Sequence, residues 1–172
     1  MSAEVDFDAP DHCTVGTLGE VGHRLFLFYC RQGLDETTVK VEKQQIAVLA
    51  TYLGRIVREF GRPGHLPEDM TFEGTEDPEW VVGTIGVSYD EEIDRIVVVL
   101  EEVGDEDEDD EEEKESGHVL RVALSREQAA AFAIHATRLV EAGRPPCPLC
   151  GLPLDPSGHD CPRTNGHRPP VT

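Results

Sequence analysis

Positive charge is scarce in this chain. Fifteen lysines and arginines face 35 acids over 172 residues, for a formal net charge of −20. Phosphate backbones and anionic membranes must be neutralised by Lys and Arg, so the charge argues against a general affinity for either. Long apolar runs are missing as well, and nothing approaches the ~20 residues that would span a bilayer. The opening MSAEVDFDAPDHC has neither the basic start nor the apolar stretch of a secretory signal. These absences predict a soluble, cytoplasmic protein. A paired cysteine framework is also lacking. There are five cysteines, of which three crowd between positions 147 and 161 while Cys13 and Cys30 stand apart. In a reducing compartment that distribution favours a metal over disulfides.

What is present is a pattern written twice. VGTLG at 15–19 returns as VGTIG at 82–86. Each copy is followed by an apolar run, RLFLFYC at 24–30 and RIVVVL at 95–100, which read as buried strands. Alternating stretches come next: Val39 and Val41 in the first half, and Leu120, Val122 and Leu124 in the second. Each half then shifts to helical spacing, with Ile46, Leu49, Ala50, Leu53, Ile56, Val57 and Phe60 on one stripe and Ala129, Phe132, Ala133, Ala136, Leu139 and Val140 on the other. Ser125 and Gln128 fit a capping box, and Gly61 and Gly143 mark the helix ends. The expected fold is α+β: a duplicated strand-strand-strand-helix unit with antiparallel sheet or sheets and two packed helices. The duplicated domain spans 1–143, with unit one at about 10–60 and unit two at about 80–143, and a zinc-ribbon-like tail follows at 144–172. Between the units, residues 61–79 are rich in Gly, Pro and acids and are expected to be irregular.

Several features read as structure rather than chemistry. Glu101–Glu115 holds twelve acids and one lysine, −11 of the total, and predicts a solvated, disordered loop over 101–117. It lacks the Gly turn and ligand alternation of a calcium loop. The VGT glycines precede further strands, which excludes a phosphate-binding turn and suggests a bulge or close packing, even of one copy on the other. Cys30 ends an apolar strand and reads as a buried small hydrophobe. Cys13 follows His12, but sequence neighbours seldom form a nucleophile–base pair, and no third orienting group is identifiable. Trp80 is a packing anchor, and His135 falls off the main helix stripe. Acids are too abundant for any carboxylate pair to be singled out as acid and base.

The tail carries the sharpest motif. Arg144-Pro145-Pro146 ends the second helix, and CPLCG follows. Thiolates at C-x2-C spacing chelate one ion through a tight turn, and Cys161 returns after a loop of turn residues. Cys147, Cys150 and Cys161 need a fourth ligand for a tetrahedral zinc site. His159 and His167 are the candidates, and the H-x-C spacing of His159 to Cys161 favours His159. A closed four-ligand site is structural, with no position open to water or substrate. So short and polar a tail would draw its folding energy from zinc.

VGTLGEVGHRLFLF, VGTIGVSYD, the acidic loop and AGRPPCPLCGLPLDPSGHDCPRTNG together resemble an actinobacterial family catalogued only as a domain of unknown function. The resemblance implies a cytosolic protein without an established activity and supplies no catalytic residues. Its GH-x-C-P-R-x-N-G pattern matches His159 to Gly166 and need not continue with His, which also favours His159. The expected function is a non-enzymatic scaffold whose structural zinc tail binds another protein; the sequence leaves its oligomeric state open. The alternatives are a nucleic-acid-associated regulator using Arg144, Arg163 and Arg168, and an enzyme with a site at the junction of the two units.

Overall fold

The computed structural model describes residues 3–20, 22–104, 117–143, 146–152, 154, 159 and 161–164. Its elements run β1 (Glu4–Phe7), β2 (His12–Leu18), β3 (Leu25–Gln32), β4 (Asp35–Val41), α1 (Lys43–Glu59), β5 (Val82–Asp90), β6 (Arg95–Glu102), β7 (Val119–Leu124) and α2 (Arg126–Glu141), and a 3-10 turn at Pro162–Thr164 closes the described chain. The order β-β-β-α therefore occurs twice. β2, β3 and β4 form one antiparallel sheet. β5, β6 and β7 form another, and β1 joins it in parallel on β7. β1 was not anticipated, because four residues are too few to show a period.

The two halves are crossed. β1 leaves the first half to pair with β7 of the second. Reciprocally, the lead-in to β5 runs parallel to β4 through a bridge of Lys40 with Val81, with Lys40 N–H donating to the Trp80 carbonyl at 2.9 Å. The helices cross as well. α2 packs on β2, α1 packs on β5, and the helices pack on each other. His135 on α2 donates to the Val15 carbonyl at 2.9 Å. Two glutamines at the helix starts also bridge the halves. Gln45 accepts the Glu42 N–H and reaches the Val82 carbonyl at 3.2 Å, while Gln128 accepts the Ser125 N–H and reaches the Pro10 carbonyl at 2.7 Å. Each side chain satisfies a free helix-start N–H and ties its helix to the other half. Ser125→Ala is expected to cost about 1 kcal/mol in chemical denaturation, since the hydroxyl accepts from Gln128 N–H.

One core fills the space between the sheets and helices. It includes Val15, Phe28 and Val39 from the first sheet and Ile96, Val98, Leu100 and Val122 from the second. The helical stripes meet it through Ile46, Leu49, Leu53, Ala129, Phe132 and Ala136. The Phe28 and Phe132 rings lie 5.5 Å apart across the layer. Trp80 is buried in the core and stacks on His118.

The outer face of the first sheet is covered by residues 70–75, part of the irregular connection. The Thr14 hydroxyl donates to the Met70 carbonyl, His12 to the Thr71 carbonyl, and Thr75 N–H to the Thr38 hydroxyl. Phe72 lies edge-on to Tyr29 and directly over Gly16, where an added Cβ would come within 2.5 Å of its ring. The VGT glycines are therefore close-approach sites, but they do not pack on each other. Gly83 sits at the β5 bulge, where an added Cβ would meet the Val103 backbone at 2.7 Å.

Beneath this cover, burial and hydrogen bonding to Glu36 raise the Tyr29 pKa to about 12. The native state thus holds a proton that the unfolded chain releases near pH 10. This contribution is complete below pH 10 and is lost as the pH rises toward 12. Tyr29→Phe should flatten that alkaline decline in denaturation measurements.

Candidate metal centre

The tail brings its donors together through backbone geometry. Past Pro146 the chain turns at 148–150. Gly151 N–H donates to the Cys147 carbonyl at 2.9 Å, and Cys147 N–H donates to the Leu152 carbonyl at 2.7 Å. Gly151 has φ +74°, a left-handed conformation that costs glycine little. This turn points Cys147 and Cys150 to the same side. His159 and Cys161 complete the group, with all four donor atoms within 4.8 Å of one another.

Individual distances suit a tetrahedral ion. Cys147 Sγ and Cys161 Sγ are 4.0 Å apart, and Cys150 Sγ lies 3.4 Å from His159 Nε2. Bonds of about 2.3 Å to sulfur and about 2.0 Å to nitrogen imply tetrahedral edges of about 3.8 and 3.5 Å. Cys147 and Cys161 are buried, and Cys150 and His159 are partly so. The other ring nitrogen, His159 Nδ1, is buried and has no hydrogen-bond partner among the described residues. No disulfide ties these thiols.

Electrostatics distinguishes the thiols. Burial opposes ionisation of Cys147, but the Cys150 and Leu149 N–H groups outweigh it and lower its pKa below the ordinary value. Cys150 is pushed the other way by burial and by the neighbouring Cys147 and Cys161 thiols. Three thiolates at this spacing repel one another, and a dication removes that repulsion. The residues therefore fit zinc, which when bound would hold the tail in shape. His167, the other proposed ligand, lies outside the described residues, as do Arg144, Arg168 and most of the acidic run. Glu101 and Glu102, at the start of the run, close strand β6.

Among the described residues, the remaining chemistry-bearing side chains do not assemble into a catalytic group. Cys13 and Cys30 face each other across β2 and β3, both buried, and burial together with the Cys30 thiol pushes the Cys13 thiol well above its ordinary pKa. That is the reverse of an activated nucleophile. His12 is engaged with Thr71. A 480 Å³ crevice does lie between α1 and β5, where the halves meet. Its lining includes Gln45, Val48, Ile85 and Tyr52, but no His, Cys, Asp or Glu. His118 Nδ1 lies 2.7 Å from Glu102, whose pKa is lowered by the His118 backbone N–H and then its ring. That pair is solvent-exposed and has no adjoining nucleophile among the described residues.

These features define an α+β domain with a Cys3His cluster in its tail. The chain belongs to the family described as Protein of unknown function (DUF3090), whose model matches residues 5–161. That span includes the whole four-residue cluster. No curated protein and no solved structure matches the chain. Among the described residues, no helix is long and apolar enough to cross a membrane.

Proposed function

We propose that Cys147, Cys150, His159 and Cys161 bind one structural zinc ion, and that the tail it holds is a docking module for another protein. The convergence of four donors within 4.8 Å carries this reading. With all four tetrahedral positions taken by side chains, no site is left for a reacting water, so the metal is structural rather than catalytic. The apolar side chains of Leu149 and Leu152 stand half exposed on the turn beside the cluster, where a partner could cover them. The body at 1–143 serves as a cytoplasmic scaffold that arose by internal duplication, a reading supported by the repeated β-β-β-α order and the reciprocal glutamine bridges. Co-purification of native partners with the full chain and with a chain ending at Gly143 tests the docking role. Partners lost with the tail support it, and an identical partner set sinks it.

A further inference from the structure

We propose that the cavity between the start of β3 and the β4–α1 junction binds a small oxyanion, specifically a phosphate group. The cavity measures about 190 Å³, and its polar side chains are those of His23, Arg24, Lys40, Glu42 and Lys43. The chain has only three lysines, Lys40, Lys43 and Lys114, so two of them border this one cavity. Arg24 and Lys40 are partly buried. Among the described residues, no carboxylate lies within ion-pair distance of Arg24, Lys40 or Lys43. Half-buried cations are ordinarily paired, because desolvation penalises an unpaired charge. Here no described acid pairs with them, in a chain whose acids outnumber its bases 35 to 15.

Surrounding groups sharpen the assignment. Glu42 is the one acid in the lining, and it occupies the N-cap of α1, where its charge complements the helix end. The first turn of α1 contains no acid, and Lys43 begins it. Lys43 sits at the rim, its ammonium beside Gly143 at the end of α2. Arg24 and Lys40, the partly buried cations of the lining, are assigned as the principal binding groups. A guanidinium and an ammonium are both groups that recognise the oxygens of a tetrahedral oxyanion. The volume falls below that of pockets for drug-sized ligands, about 300 Å³ and upward, which limits the occupant to free phosphate or one phosphate group of a larger molecule. This inference is independent of the zinc reading.

Titration of the isotopically labelled full chain at low, constant ionic strength, followed by amide shifts, tests the site. The probes are inorganic phosphate, glycerol phosphate and acetate. Inorganic phosphate should give saturable shifts at residues 24–26 and 40–44, with a Kd of about 1 mM or tighter. Arg24→Gln with Lys40→Gln should weaken binding about tenfold or more while the spectrum elsewhere stays native-like. Stronger binding of glycerol phosphate would identify a phosphorylated metabolite as the ligand, and equal binding would identify free phosphate. The proposal is overturned by shifts that persist in the double variant, by no saturable response, or by acetate binding as well as phosphate. Lys43→Gln alone provides a second variant at the rim, where a smaller loss is expected.

Discussion

Replacing Cys147 and Cys150 with serine is expected to abolish zinc binding and unfold the tail, leaving the main unfolding transition of the domain in place. Elemental analysis should give about one zinc per chain before substitution and none after it. Structural zinc contributes apparent binding energies of about 10–16 kcal/mol in small zinc-folded peptides, far more than the tail can gain without it. The cluster buries Cys147 and Cys161 but leaves Leu149 and Leu152 about half exposed, so little apolar burial remains once the metal is gone. Limited proteolysis should therefore cut after residue 143 in the variant and spare the tail in the native protein. His159→Ala should mimic the double substitution, whereas His167→Ala should retain the metal. A native protein that is isolated without zinc, or a variant tail that resists protease equally well, would refute the metal assignment.

Phe132→Ala is expected to destabilise the domain by about 3–5 kcal/mol, the usual range for removing a buried aromatic ring. The ring is 0% exposed and lies 5.5 Å from that of Phe28, joining α2 to the first sheet. Its loss leaves a cavity that neighbours locked in two sheets and two helices cannot collapse to fill. With a urea slope of about 1–3 kcal/mol per molar, the midpoint should fall by about 1 M or more. Ile134→Ala on the same helix is the control, because Ile134 is 44% exposed and should change stability by about 0.5 kcal/mol or less. Equal effects from both substitutions would contradict the packing described.

Much of this arrangement was legible in residue order, for identifiable reasons. Apolar spacing marked the buried stripes of both helices because a helix can bury only one face. Ser125 with Gln128 announced the start of α2, whereas Glu42 with Gln45 performs a similar task for α1 without a hydroxyl to signal it. The three cysteines and His159 were readable because ligand spacing is a local property, and the structure brings those four donors together. The crossing of the halves was not readable. Periodicity shows that a face is apolar but not which element covers it, and VGT repeated in two strands gave no sign that Phe72 would fill the space above Gly16. Arg24, Lys40 and Lys43 were likewise dispersed in sequence, and only the folded β3–β4 hairpin gathers them at one cavity.

The crossed halves also constrain how the chain matures on the ribosome. Val15 waits for His135, 120 residues downstream, and Pro10 waits for Gln128, 118 residues downstream. A nascent chain that has released only its first half has β2 without its covering helix and β1 without β7. Closing such distant pairings is slow, and the uncovered sheet edge invites association with other chains. The first half therefore stays incomplete until the second emerges, and two separately expressed halves should become soluble only when made together.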